Sequence, residues 1–201
     1  MLEISSMISE AYAEEEVKNN PWNDSPYKDF HKLSLDGRGK IGEIIISKAI
    51  KRANHPSIII EEDVSDVNAK GNMPYDIKVN GSFIEIKTAY RGGKTISWQH
   101  ENLYKEGVDM AIFLDFDYYG IYVSVVPEKL LPLGKDSPIF GRKHGTLRQH
   151  KVDGYKLDFS KTTLKTLNEN GYSYYFDANE ATLENIGKYI VERILKYVES
   201  V

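Results

Sequence analysis

The stretch that decides the fold is Pro74-Tyr75-Asp76-Ile77-Lys78-Val79-Asn80-Gly81-Ser82-Phe83-Ile84-Glu85-Ile86-Lys87. At its centre, Asn80-Gly81 separates two alternating apolar runs, which is the strongest short signal for a β-hairpin. A two-residue turn fixes the cross-strand pairs, which are Val79 with Ser82, Ile77 with Ile84, and Asp76 with Glu85. The stretch therefore predicts two antiparallel strands in one register.

This register sorts the hairpin side chains onto two faces, because successive side chains in a strand point to opposite sides. The apolar side chains share a face typical of a core: Tyr75, Ile77, Val79, Ile84 and Ile86. The other face carries Asp76, Glu85 and Lys87. Directly opposed carboxylates repel each other.

A divalent cation is the simplest explanation for this pair of carboxylates, since Mg²⁺ is usually held by one or two carboxylates together with water and phosphate. On the same face, Lys87 can orient an attacking water or stabilise charge on a phosphate. The alternative is a solvated face on which Lys78 and Lys87 offset the two acids, because one side of an antiparallel sheet is often exposed to water.

The motif Pro74-Tyr75-Asp76, eight residues and then Glu85-Ile86-Lys87 resembles the PD-(D/E)xK signature of the restriction-endonuclease-like nucleases. Many members carry a Glu on a helix before the motif, and Glu43 fits that place in a helix predicted over residues 40–53. Some carry a polar residue on the element after the Lys strand, which Gln99 matches loosely as a residue that orients the site. The resemblance covers roughly residues 38–127.

The resemblance implies a role for each residue of the motif. Asp76 and Glu85 would bind Mg²⁺, for which Mn²⁺ can substitute, with the Ile86 carbonyl as a third ligand. Glu43 would support these ligands or bind a second metal ion, and Lys87 would position or activate the attacking water. The implied reaction is hydrolysis of a phosphodiester bond by in-line attack of water.

The resemblance also implies a fold and a class of enzyme. We expect an α/β fold of the restriction-endonuclease type, with a central mixed β-sheet flanked by helices. A single nuclease domain would span residues 1–201, with elements for recognition or dimerisation in residues 128–201. The expected activity is that of a type II restriction enzyme that cuts double-stranded DNA as a homodimer, since two active sites must face the duplex. A DNA repair or recombination nuclease of the same fold is the alternative.

A glycine-rich segment supports an alternative from another class. Gly37-Arg38-Gly39-Lys40-Ile41-Gly42 matches the G-x-G-x-x-G pattern of dinucleotide-binding loops, follows a possible short strand over residues 32–35 and precedes a helix. Glu61 and Glu62 come about 20 residues later, where the dinucleotide-binding pattern has an acidic residue. The alternative is a non-catalytic nucleotide-binding or DNA-binding module, although an Asn-Gly hairpin rather than further βαβ units follows.

Composition narrows these choices. Because the chain contains no cysteine, disulfides, thiolate metal sites and cysteine nucleophiles are excluded. No apolar run approaches the about 20 residues that a membrane helix needs, and the N-terminus lacks the features of a secretion signal. We therefore expect a cytoplasmic protein that does not contact membranes.

The net charge of −4 is unusual for a nucleic-acid-binding protein, but basic side chains cluster locally. The candidates for DNA contacts are Arg91 and Lys94 soon after the Lys strand, and Arg142, Lys143 and Arg148 in the basic segment 134–151. A solvated loop is the alternative for this segment. His144 and His150 lack cysteines or a histidine pair at ligand spacing, so no zinc site is expected.

Hydrophobic periodicity predicts the remaining elements. Helices are predicted over residues 2–18, 98–106, 162–169 and 180–199, and strands over residues 57–62, 110–115 and 119–126. Residues 134–160 are predicted to be rich in loops. Strands in the middle of the chain with helices at both ends indicate an α/β or α+β fold.

Overall fold

A computed structural model describes residues 21–63, 75–91, 97–103, 107–131, 148–151 and 154–199. The helix predicted over residues 2–18 lies outside them. Within these residues, no helix is long and apolar enough to cross a membrane.

The described residues form a mixed α/β structure in which three α-helices flank a central mixed sheet. The helices are α1 (Leu35–Ala53), α2 (Lys161–Glu169) and α3 (Leu183–Val198). The strands are β1 (Ile60–Asp63), β2 (Ile77–Val79), β3 (Ser82–Tyr90), β4 (Ser97–Leu103), β5 (Met110–Asp117), β6 (Gly120–Pro127), β7 (Arg148–Lys151), β8 (Gly154–Ser160) and β9 (Ser173–Asp177). Single 3-10 turns occupy Phe30–Lys32 and Glu128–Leu130.

The central sheet has six strands in the order β1-β2-β3-β5-β6-β9. Only β3 and β5 run parallel, and the other neighbouring strands are antiparallel. A second sheet of three antiparallel strands has the order β4-β8-β7. The prediction of a central mixed sheet with flanking helices is thereby confirmed.

The predicted hairpin register is confirmed, since Val79 pairs with Ser82 and Ile77 with Ile84. Asn80 and Gly81 form the turn with positive φ angles of 48° and 79°, a conformation that Asn and Gly adopt more readily than other residues. The ladder ends at the Ile77–Ile84 pair, however, so the predicted pairing of Asp76 with Glu85 was wrong.

The apolar face of the hairpin is buried in the main core, with the exception of Tyr75. The buried side chains are Ile77, Val79, Ile84 and Ile86. The ring of Tyr75 instead packs on Phe83 at a centroid distance of 4.7 Å, and its hydroxyl donates to Glu62 at 2.7 Å. Tyr75 is therefore buried, as expected of a core residue, but it packs on Phe83 rather than in the main core, because the strand begins only at Ile77.

Helix α1 begins at Leu35 rather than at residue 40. The side chain of Ser34 accepts a hydrogen bond from the Gly37 amide at 3.1 Å, which caps the helix. The glycine-rich segment 37–42 therefore lies inside a helix, and a 3-10 turn precedes it instead of the short strand over residues 32–35. The expected strand over residues 32–35 and the expected strand-to-helix loop were therefore wrong.

Two apolar clusters lie on opposite faces of the central sheet. The main cluster joins α1 and α3 to one face through buried side chains such as Ile46, Ile112 and Ile190. The second cluster lies between the other face and the three-stranded sheet with α2, and it includes Phe113 and Phe159. Successive side chains of β3 point to opposite faces of the sheet, and Ile84 and Ile86 point into the main cluster. Glu85 and Lys87 therefore lie on the face of the second cluster.

The other element predictions are largely confirmed. The two strands predicted at 110–126 correspond to β5 and β6, and the two C-terminal helices to α2 and α3. The helix predicted over residues 98–106 was wrong, because Trp98 and His100 alternate inward on β4 and the strand pairs with β8. Strands β7 and β8 also lie in the segment predicted to be rich in loops.

Candidate active site

Asp76 lies immediately before the first residue of β2. Its carboxylate accepts a hydrogen bond of 2.6 Å from the backbone amide of Ile86 on β3. Since β2 pairs with β3 only from Ser82 to Ile84, the edge of β3 beyond Ile84 has no strand neighbour on this side among the described residues. The amide and carbonyl of one strand residue point to the same side, so the Ile86 carbonyl is also directed toward this edge.

Glu85 and Lys87 lie two residues apart on one face of β3, as predicted. The Lys87 ammonium is 2.6 Å from a Glu85 carboxylate oxygen, and the side chains are 20% and 3% exposed, respectively. A carboxylate buried this deeply needs a cation or hydrogen-bond donors nearby. Lys87, the more exposed residue of the pair, supplies this cation.

Glu43 approaches the same region from α1. Its carboxylate is 3.4 Å from the Lys40 ammonium, one helical turn earlier. A close contact between α1 and β3 sets its position, because a Cβ atom at Gly42 would lie only 1.7 Å from Oγ1 of Thr88. Glycine at position 42 therefore allows the helix to approach the strand that carries Lys87.

The electrostatics show that Glu43 and Asp76 are near each other. Burial is the main cause that raises the pKa of Glu43, and the negative charge of Asp76 raises it further, against the lowering effect of Lys40 and Lys87. Burial also raises the pKa of Asp76, while the Ile86 amide, Lys87 and Lys40 lower it. Two partly desolvated carboxylates and two lysines therefore share one region at the open edge of β3.

The chemistry of these donors fits a hard cation such as Mg²⁺, which takes carboxylate and carbonyl oxygens as ligands. Asp76, Glu43, Glu85 and the Ile86 carbonyl are the candidate donors. Across the described parts of the chain, no three acidic or histidine side chains are gathered closely enough to form a ready-made metal site. For Glu85 to act as a ligand, its ion pair with Lys87 would have to open.

Gln99 is not brought to these carboxylates. It lies on β4 opposite Asp158, and its side chain is exposed, whereas Trp98 and His100 on either side are buried. Because side chains alternate along a strand, Gln99 points away from the central sheet. We therefore leave it out of the candidate site, since the element that carries it is a strand and not the predicted helix.

The residues predicted to contact DNA have different outcomes. The guanidinium of Arg91 lies 3.1 Å from the Asp117 carboxylate and 4.6 Å from the centroid of the Tyr118 ring. Lys94, Arg142 and Lys143 lie outside the described residues. The backbone of Arg148 belongs to β7, but its side chain is not described. Of these five residues, only Arg91 can be placed relative to the site.

Lys40 is a residue of this region that the sequence reasoning missed. It pairs with Glu43, and its charge lowers the pKa of both Glu43 and Asp76. The spacing of three residues between Lys40 and Glu43 on a predicted helix was a signal that could have identified it, because residues i and i+3 are neighbours on a helix surface.

Comparison of the sequence with models of known protein families gives no match, and comparison with curated proteins gives none either. The candidate site therefore rests on the motif and on the geometry described above.

Proposed function

We propose that this protein is a Mg²⁺-dependent DNA endonuclease with a restriction-endonuclease-like fold. The observation that carries the proposal is the convergence of three elements at the open edge of β3. The residue before β2 supplies Asp76, helix α1 supplies Glu43, and β3 supplies Lys87. A solvated hairpin face does not explain why Glu43 from a separate helix joins these residues, nor why Glu85 is buried.

Asp76 and Glu43 would hold the metal ion in their deprotonated forms, together with the Ile86 carbonyl. Bound Mg²⁺ would supply a Lewis acid that stabilises negative charge on the reacting phosphate. The two acids lie in a partly desolvated region where their charges repel, so a cation between them would relieve the repulsion. Their raised pKa values therefore favour metal binding at neutral rather than acidic pH.

Lys87 would act on the reacting atoms through its ammonium group, which is a donor without acceptor capacity. Released from Glu85, it can donate to an oxygen of the scissile phosphate or hold the attacking water. The two roles of the pair are linked, because opening the Glu85–Lys87 ion pair would free a carboxylate for the metal and an ammonium for the phosphate. The products would be a 3′ and a 5′ strand end, one of which keeps the phosphate.

Within this class, we propose a type II restriction enzyme that acts as a homodimer on double-stranded DNA. This finer assignment rests on the PD-(D/E)xK resemblance of Asp76, Glu85 and Lys87 and on the length of chain outside residues 38–127. Discrete fragments from a long DNA would distinguish it from a non-specific nuclease, which produces a smear.

The proposal is tested by incubating the full chain with phage DNA in the presence of Mg²⁺ or EDTA. We expect cleavage with Mg²⁺ only, and its loss in Lys87→Ala. The matched control is Lys78→Ala on the same hairpin, which removes an ion pair of 2.7 Å with Glu61 but lies toward the turn, and we expect this variant to cut normally. Undiminished cleavage by Lys87→Ala, or no cleavage by the wild-type protein under any divalent ion, would overturn the assignment.

A further inference from the structure

Lys40 borders the candidate site on the side of α1. It lies 3.4 Å from Glu43, and its side chain is 43% exposed. An ion pair is weakened by water when one partner is as exposed as Lys40 is here. The exposed Lys40 ammonium can therefore reach a second anionic partner, and it would do so next to the carboxylates of the site.

Arg38 lies two residues earlier on α1, and an aromatic ring holds its guanidinium. The guanidinium carbon is 4.3 Å from the centroid of Tyr90, the last residue of β3. Trp22 and Phe30 pack in turn against the Tyr90 ring at centroid distances of 5.8 and 6.4 Å. A guanidinium stacked on a fixed ring presents its donors with little loss of freedom on binding.

Gly39 lies between these two residues on α1. Gly39 is one turn before Gly42, and a Cβ atom at Gly39 would have no atom of the described residues within 4 Å. Glycine costs about 1 kcal/mol relative to alanine in a helix interior. Contacts among the described residues do not explain its presence, whereas the missing side chain would leave room for a phosphate group at the helix surface.

We infer that Arg38 and Lys40 bind backbone phosphates of the DNA next to the phosphodiester bond that is cut. This inference rests on the proposed nuclease function. Both side chains carry only donors, so they would position the duplex and carry no sequence information by themselves.

The test measures the affinity of the full chain for a fluorescent DNA duplex at several salt concentrations, with Ca²⁺ in place of Mg²⁺. Each lost phosphate contact lowers the slope of log K against log salt by about 0.9. We expect the double variant Arg38→Gln/Lys40→Gln to bind more weakly and to lose about 1.8 from this slope. Lys40→Arg, which keeps the charge, should bind as the wild type does.

The matched control is Lys165→Gln/Lys188→Gln, which removes the same net charge from exposed positions on α2 and α3. We expect the control to keep the wild-type affinity and slope. Equal binding by Arg38→Gln/Lys40→Gln and the wild type would overturn the inference while leaving cleavage by the wild type intact. Weaker binding by that variant together with no cleavage by the wild type would overturn the nuclease function but support the phosphate surface.

Discussion

The backbone amide of Ile86 donates a hydrogen bond of 2.6 Å to the carboxylate of Asp76. Ile86 lies on the strand edge that β2 would cover if it continued past Ile77, so a side-chain oxygen takes the place of a strand carbonyl. Asp76 therefore has a structural task and a proposed catalytic task. Substitutions that keep the acceptor but remove the charge separate the two.

Asp76→Asn should keep the fold and lose cleavage, because the Asn side-chain oxygen can still accept from Ile86 but is a poor metal ligand. Asp76→Ala should be less stable than Asp76→Asn by about 1–3 kcal/mol, since it leaves a buried amide without an acceptor. Urea unfolding of both variants at pH 8 measures the difference. Equal free energies of unfolding would show that the hydrogen bond does not contribute.

The pH dependence of stability should reveal the raised pKa of Asp76, whose ordinary value is 3.8. A carboxyl group with a higher pKa in the folded state binds its proton more tightly there than in the unfolded chain. Its contribution to stability is therefore greatest at acidic pH, and it decreases as the pH rises from about 3.8 through the folded-state pKa.

The non-titrating Asp76→Asn variant provides the reference for this measurement. Without divalent metal, we expect the stability of the wild type relative to this variant to fall between pH 4 and neutral pH. Urea titrations of the two proteins across that range would show it. A relative stability that instead rises with pH would mean that the folded-state pKa of Asp76 is lowered. The effect of Lys40, Lys87 and the Ile86 amide on this pKa would then exceed the effect of burial.

The hairpin could be predicted from the sequence because its information is local. The Asn80-Gly81 turn alone determines the pairing of Ile77 with Ile84. The departure at Asp76 could not be predicted in this way, since it depends on where β2 stops within the sheet. Similarly, β4 pairs Ser97 with Ser160, and no local pattern encodes a partner so distant in sequence.

The residues of the candidate site were also predictable to different degrees. Glu85 and Lys87 follow from strand alternation alone, and their shared face is confirmed. The approach of Glu43 depends on a contact between Gly42 of α1 and Thr88 of β3, which no spacing in the sequence indicates. The family resemblance suggested Glu43, but it gave no reason for Lys40.

A buried His–Asp pair lies between the two sheets, outside the proposed site. His100 Nε2 is 3.0 Å from Asp115 Oδ1, and both side chains are fully buried. Apart from this contact, neither side chain has a hydrogen-bond partner in the described part of the chain. Burial raises the pKa of Asp115, against a smaller lowering by His100.

The two single replacements of this pair should together cost more stability than the double replacement does. Asp115→Val or His100→Leu alone leaves a buried polar group without its counterpart, at a cost of about 3–5 kcal/mol. The double variant should cost less than the sum of the two, with a coupling of at least about 1 kcal/mol. Urea unfolding of all four proteins completes the cycle, and additive costs would show that the two groups do not interact.

Replacing a glycine of α1 with alanine should lower the stability of the protein at Gly42 and raise it at Gly39. At Gly42, a Cβ atom would lie 1.7 Å from Oγ1 and 2.8 Å from Cβ of Thr88, so Gly42→Ala must push the helix away from β3. We expect a loss of about 1–3 kcal/mol in stability and a fall in cleavage, because Glu43 moves with the helix. Adding Thr88→Ala removes the nearest atom, so the double variant should regain part of the lost stability and part of the lost cleavage.

Gly39→Ala is the matched control, because its Cβ atom meets no described atom within 4 Å. Alanine is the better helix former, so this variant should be more stable than the wild type by about 0.5–1 kcal/mol. Thermal or urea unfolding of the two single variants side by side gives the comparison. A Gly42→Ala protein as stable as Gly39→Ala would show that α1 does not depend on close contact with Thr88, and the position of Glu43 would then need another cause.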